Sequence, residues 1–518
     1  MANREELAII RGARAGLVES QLALGRLYLF GSTGLPKSLQ TALHWLDRAA
    51  RQGCADAWQL IGNHIPLELA QQSAHPVTGW YEKAYDGGLV RAGLVYAQLV
   101  LGNGELRPAT AQRSKALRAL EEAGRAGFAE AQWLLAREHG LPAQGRADAE
   151  AQAAVEGPAA QRWLRRAADN GVAPAQFALL EQAWDARDWS AYLQRALPLA
   201  RALADAVASQ NRSCARLAPD EVTLLSRCAR LVDAGGASHD VGDHELQVFW
   251  ELAAAEQDRH AQLALGLWCA RMRVDGKRMP GNAGAANFKK AVRWLCLAGE
   301  QGLAEAWYAL SRIYIKPEFS QRNVLEAQKY LERAADMGYR DAQLECGNAA
   351  WRARRENENN DVRAVFWLQK AAAQDCPKAL MALRKIAPRN TEAWKGLAAL
   401  LAGRDLSDHP LLAARLELAL AFGLSRAETL LLDIKNADRG HCLVIDIRAS
   451  YGRSRRRLVL VETAQERQLL DRMAAVFEQV DCGPAGPEGN YRQRLYRLRT
   501  LFPEADAAAL DVDYGLAA

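Results

Sequence analysis

The sequence predicts a mostly α-helical protein: an α-solenoid of about nine or ten helix-turn-helix repeats, then a small α+β module containing a β-hairpin. Three observations carry this. One phrase recurs along the first four-fifths of the chain: an aromatic residue, two small residues, a glycine, and an alanine four residues after the glycine. The glycine-equivalent positions fall at 16, 53, 88, 127, 171, 257, 302, 338 and 375, a spacing typical of helical repeats. Beyond residue 379 the phrase stops, and two runs of β-branched residues replace the helical period.

The phrase reads WLDRAARQGCADA at 45–57 and returns as WYEKAYDGGLVRA at 80–92 and WLRRAADNGVAPA at 163–175. Later copies are WLCLAGEQGLAEA at 294–306, YLERAADMGYRDA at 330–342 and WLQKAAAQDCPKA at 367–379. Two copies are weaker: ALEEAGRAGFAEA at 119–131 lacks the aromatic, and FWELAAAEQDRHA at 249–261 lacks the glycine. The gap between 171 and 257 is twice the usual period, which predicts one degenerate repeat within 178–246.

Between copies lies a second apolar-periodic segment, so each unit reads helix, turn, helix, variable loop. The anchors are Trp45, Trp80, Trp163, Trp294, Tyr330 and Trp367, with Gly53, Gly88, Gly127, Gly171, Gly302 and Gly338. The register of the tryptophans beside paired alanines places them in the core, so Trp294→Ala is expected to cost about 3–5 kcal/mol. Leu24-Gly25, Ile61-Gly62 and Leu265-Gly266 are read as helix ends, with glycine in the left-handed C′ position. Polar, Gly/Pro-bearing insertions at 63–78, 140–157 and 274–286 are read as loops, and in solenoids such loops gather on one face, often the binding face.

These residues resemble the Sel-1-like repeats, relatives of the tetratricopeptide repeats. That pattern is A-x-x-x-L-G-x-x-Y, a variable loop, then K-A-x-x-W-Y-x-K-A-A-x-x-G-x-x-x-A. The first half appears here around Ala23, Leu24, Gly25 and Tyr28, and the second half is the recurring phrase. The resemblance covers about residues 10–385. It implies a scaffold or adaptor that grips a protein partner along the solenoid, with no chemistry of its own. Ala119, Gln257 and Asp375 depart from the pattern.

The domain reading is a solenoid over 1–390, a C-terminal α+β module over 391–502, and an acidic tail over 503–518. Within the module, helices are expected at 391–402, 411–422, 464–480 and 491–502. The runs CLVIDI and RLVLVE, flanking RASYGRSRR, predict a hairpin with a basic loop. Basic residues cluster here: Arg448, Arg453, Arg455, Arg456 and Arg457, then Arg492, Arg494, Arg497 and Arg499, with Tyr451, Tyr491 and Tyr496 among them. Such a cluster offers contacts to phosphates or to an acidic partner, or else forms a paired or solvated basic face. The stretch from Gly423 through Leu424, Glu428 and Leu432 into the hairpin resembles the first half of a tyrosine-recombinase catalytic domain. Ser425 stands where that family has its catalytic arginine, the hairpin carries arginine where the family has lysine, and no histidine follows His441. Recombinase catalysis is therefore not expected, and the hairpin would retain at most backbone contacts to DNA.

The remaining composition narrows the function classes. Basic residues number 66 against 61 acidic, too near balance for the whole chain to seek a polyanion. The nine cysteines include no C-x-x-C pair, so they are read as reduced, mostly buried residues rather than metal or disulfide partners. SHDVGDHE around His239 and His244 is read as a solvated loop ahead of a weak metal site. No nucleotide-binding or hydrolase fingerprint is present, so neither an enzyme nor a cofactor is expected. No apolar run approaches bilayer length and the N-terminus lacks a secretory pattern, which predicts a cytoplasmic protein without a membrane partner. The function expected is a non-enzymatic scaffold; the alternative is a nucleic-acid-associated protein using the C-terminal arginines.

Overall fold

The computed structural model describes residues 4–73, 76–102, 110–140, 149–209, 216–235, 241–279, 285–389, 404–447 and 455–503. They form two compact units: residues 1–203 with 231–239, and residues 204–230 with 240–518.

The first unit holds five helix pairs: Arg4–Arg14 with Val18–Phe30, Leu39–Arg51 with Ala55–His64, Thr78–Asp86 with Val90–Leu101, Thr110–Arg125 with Ala129–Gly140, and Ala149–Asp169 with Ala173–Asp185. The second unit holds four: Asp243–Ala255 with Arg259–Ala270, Phe288–Glu300 with Ala304–Tyr314, Val324–Asp336 with Arg340–Arg352, and Asn360–Ala372 with Pro377–Ile386. The degenerate repeat corresponds to Trp189–Ser209 and Pro219–Asp233, where the division between units falls. The loop expected at 140–157 is partly helix, because Ala149–Asp169 begins inside it; residues 141–148 lie outside the described residues.

Each pair turns in the same way. The phrase glycine has positive φ, from 82° at Gly171 to 95° at Gly127. The next residue donates its N–H back to the first small residue of the phrase, as Leu303 does to Ala298 at 3.2 Å and Tyr339 to Ala334 at 3.0 Å. This is a Schellman cap, which needs a left-handed residue and therefore favours glycine. Gln257 and Asp375 keep the conformation without glycine, at φ 66° and 57°.

Two sequence expectations change. Gly25, Gly62 and Gly266 do not end helices; they lie inside them, where a neighbouring pair presses close. A Cβ at Gly25 would sit 2.6 Å from Leu46 Cδ2, and one at Gly266 would sit 2.7 Å from Leu295 Cγ. The tryptophan register is also not the deepest point. Trp45, Trp80, Trp163, Trp294 and Tyr330 are half-buried, and only Trp367 is buried. The following residue is the core anchor: Leu46, Tyr81 and Leu295 are fully enclosed. The half-buried rings instead lie under cations one turn on, such as Arg48 over Trp45 and Arg166 over Trp163, at 5.4 and 5.2 Å.

In the second unit the C-terminal module follows the repeats. Strands β1 (Cys442–Ile447) and β2 (Arg455–Leu460) form an antiparallel hairpin with Cys442 opposite Leu460. Among the described residues, helices Pro410–Phe422, Arg426–Leu431, Ile434–Ala437, Ala464–Phe477 and Tyr491–Leu501 complete it. The expected helix at 391–402 and the hairpin loop lie outside the described residues. One face of the hairpin packs Cys442, Val444, Leu458 and Leu460 against Val365, Leu368 and Ala379 of the last helix pair. The other face packs Leu443, Ile445 and Val459 against Phe422, Leu470 and Phe477. Alternation along both strands thus lets one hairpin serve two cores.

Candidate functional site

The repeats first build a frame. Five residues after the turn position stands Gln21, Gln132, Gln176, Gln262 or Gln343. Its amide donates to the carbonyl eight residues earlier, with distances from 2.9 Å (Gln132 to Gly124) to 3.3 Å (Gln262 to Ala254). The residue before the next turn then joins neighbouring turns: Gln52 donates to Gln21 Oε1, Asn170 to Gln132 Oε1, Gln301 to Gln262 Oε1 and Gln374 to Gln343 Oε1, at 2.8–2.9 Å. This amide ladder fixes the turn edge, and it satisfies carbonyls at helix ends that would otherwise be buried without partners. Sequence reading missed it, although the glutamine directly follows the phrase's final alanine. At Trp58 and Trp307 an indole replaces the glutamine. Trp307 Nε1 donates to Gly299 O at 3.0 Å, and Trp307 stacks on Tyr330 while Arg333 covers it at 3.8 Å.

With the turn edge occupied, the second helix of each pair offers variable side chains. In the first unit these form a groove of about 510 Å³. Its floor is Leu94, Val95 and Phe128; Gln98 and the exposed charges of Glu68, Arg91 and Glu130 stand at its rim. One wall comes from the insertion 63–78. That segment is a built element rather than a bare loop: it contains the short helix Leu67–Gln71, buries Ile65 and Val77, and accepts a 3.0 Å hydrogen bond from Tyr81 Oη at Ile65 O. None of Glu68, Arg91 and Glu130 has an ion-pair partner among the described residues.

Of the arrangements that sequence left open for the arginines of the C-terminal module, most of the described ones are paired within the chain. Arg456 makes a bidentate pair with Asp361 of the last repeat, at 2.6 and 3.0 Å. Arg457 pairs with the buried Glu428 at 2.8 Å. Arg494 is itself buried and donates to the carbonyls of Leu430, Cys482 and Gly489. Arg497 donates to the carbonyls of Glu488 and Pro487. Their basic charge is therefore engaged in holding the module together, because each guanidinium meets acceptors of the chain's own. Arg492 is exposed, the side chain of Arg455 is not described, and Arg448 and Arg453 lie outside the described residues.

Arg415, which sequence reading passed over, is the module's most enclosed charge. It meets Glu488 at 2.6 and 2.7 Å and donates to Thr429 O and Leu432 O. The stretch that resembles a recombinase motif is a pair of caps: Gly423 ends one helix in the left-handed conformation, and Ser425 with Glu428 forms the capping box of the next. Among the described residues no group of three or more His, Cys, Asp or Glu is arranged to hold a metal ion. Cys228, Cys346 and Cys442 are buried, which pushes each thiol up to about 12 and keeps it protonated.

The model of the Sel1 repeat matches residues 18–54, 129–172, 260–303, 304–339 and 357–376. The chain carries Sel1 repeats at these positions. Each full match runs from the second helix of one pair through the first helix of the next, so the Sel1 unit is the helix pair read half a period out of step with the tight turn. Among solved structures the chain is similar to c5321, a protective antigen of uropathogenic Escherichia coli strains displaying an SLR fold. The two share 18% identity over 98% of this chain and 95% of that one, with a TM-score of 0.45. A Sel1 repeat protein from Oxalobacter formigenes shares 20% identity over 73% of this chain and 90% of that one, with a TM-score of 0.24. No match was found among curated proteins. Sel1-repeat proteins generally mediate protein–protein interaction. No helix among the described residues is long and apolar enough to cross a membrane.

Proposed function

We propose that this chain is a non-enzymatic scaffold that holds a protein partner on the second-helix face of its first unit. The observation that carries the reading is the groove between the insertion helix Leu67–Gln71 and the helices Val90–Leu101 and Ala129–Gly140. It has an apolar floor, and its three rim charges have no ion-pair partner among the described residues. Repeat arrays use such extended faces for recognition because their own stability resides in stacking between neighbours. That division leaves the groove side chains free to vary.

The test is capture of partners by the tagged full chain, with and without nuclease. The comparison variant is Arg91→Glu/Glu130→Lys, whose substitutions are on exposed positions. The expected result is a specific protein set that survives nuclease and is depleted by the double variant. Retention of the whole set by the variant would overturn the placement of the site, and loss of the set with nuclease would favour nucleic acid over protein.

A further inference from the structure

The described repeats end on a helix whose outer face is unlike those before it. In earlier pairs two positions of the second helix are shaped by the pair that follows. Five residues after the turn position, Gln21, Gln132, Gln262 and Gln343 are only 1–4% exposed, and each accepts from the next turn. Nine residues after it stand Gly25, Gly62, Gly266 and Gly347, each pressed by the next pair; a Cβ at Gly347 would sit 2.7 Å from Leu368 Cγ.

The last second helix, Pro377–Ile386, breaks both rules. Counted from Asp375, it carries Leu380 and Arg384 at these positions. Leucine cannot accept from another turn, and arginine bars the close approach that the glycines allow. Leu380 is 44% exposed and Met381 57%, whereas Leu94 and Tyr308, which correspond to Met381, are buried. At about 100° per residue, Leu380, Arg384, Met381, Lys385 and Lys378 follow one another around one exposed arc. The helix holds no acid, and none of Lys378, Arg384 and Lys385 has an ion-pair partner among the described residues. Two exposed apolar side chains among three unmatched cations fit an acidic cover with apolar residues of its own.

The sequence supplies one. Residues 504–518, which lie outside the described residues, read EADAAALDVDYGLAA: four acids and no base, with Leu510, Val512 and Tyr514 among them. They begin close by. Phe502 packs with Leu430 of the short helix Arg426–Leu431. Glu428 of that helix pairs with Arg457, and the same guanidinium donates to Pro388 O, two residues beyond Ile386. Fifteen extended residues span about 50 Å, more than the width of one helix and one arginine side chain. We infer that residues 504–518 pack on the exposed arc of Pro377–Ile386. Their carboxylates meet Lys378, Arg384 and Lys385, and their apolar residues cover Leu380 and Met381.

The test is oxidation of Met381 by dilute peroxide in the full chain, followed by mass spectrometry. Met337, 40% exposed at another turn, is the internal reference. Met381 is expected to react more slowly than Met337, the reverse of their exposures in the structure. Asp511→Lys/Asp513→Lys should raise its rate about fivefold, the size that two exposed ion pairs supply. Lys378→Glu/Lys385→Glu should do the same, and the two double variants combined should restore protection. A carbodiimide should join Lys378 or Lys385 to an acid of 504–518 within one chain, as mixed isotope-labelled and unlabelled protein would show. Met381 reacting at least as fast as Met337 in the unaltered chain would overturn the proposal. So would protection that ignores Asp511 and Asp513: the cover would then be residues 391–402, or a second copy if protection grows with protein concentration.

Discussion

At the scale of single residues, the turn position and the residue after the tryptophan carry the stability. Gly302 holds φ 92°, and a methyl placed there would meet nothing within 4 Å, so Gly302→Ala costs only backbone strain. That strain is about 1–2 kcal/mol, read as a lower midpoint in denaturant. Asp375 occupies the same conformation at φ 57°, so Asp375→Gly should raise the midpoint. Leu295 is fully enclosed whereas Trp294 is half-buried. Leu295→Ala is therefore expected to cost about 2–5 kcal/mol, and more than Trp294→Ala, reversing the ranking that the aromatic register suggests. The phrase marks each turn in the sequence because only glycine relieves the left-handed strain at no cost. Burial depth is less legible, because Trp45 and Leu46 differ by one residue and by about 100° around a helix, too fine for a repeat count to resolve. Gln262, whose amide bonds Ala254 O and accepts from Gln301, was invisible for another reason: glutamine is common on helices and its partners lie on other turns. Gln262→Ala should destabilise by about 1–3 kcal/mol through the carbonyl it strands, measured by equilibrium unfolding.

At the scale of elements, the hairpin was legible and its contacts were not. Its β-branched alternation announced both strands, yet nothing in the arginine spacing indicated that Arg456 faces Asp361 and Arg457 faces Glu428. A basic run reads alike whether its partners are distant residues of the same chain or phosphates. The module's charges make two predictions. Arg415→Met takes from the enclosed Glu488 its closer cation and leaves only Arg494, at 3.5 Å; breaking a buried pair costs up to about 3–5 kcal/mol, and a lowered thermal transition of the module would check this. Arg467 donates to both oxygens of Asp438, which holds that carboxyl below the usual carboxylate range. A depressed carboxylate stabilises the fold above its unfolded pKa, and that contribution disappears as the pH falls through the folded value. The module should therefore lose stability on acidification below about pH 4, and Asp438→Asn should flatten that part of the stability–pH curve.

Considered unit by unit, the molecule ends its repeats with a sheet. The hairpin packs on Val365, Leu368 and Ala379 of the last helix pair. Gln369 donates to His441 O, and the His441 ring nitrogen lies 3.0 Å from Val362 O, so polar groups on the last pair are covered as well. Truncation after residue 388 should expose this face and cause self-association, visible as a rise in mass by light scattering.

A sheet at the end has a bearing on how such a chain changes over generations. The last helix pair is matched to a partner of different architecture, whereas interior pairs are matched only to one another through the same alanines, turn and amide. A duplication or loss of one interior pair would leave the terminal match intact. The number of repeats is thus free to drift, while the identity of the last one is held.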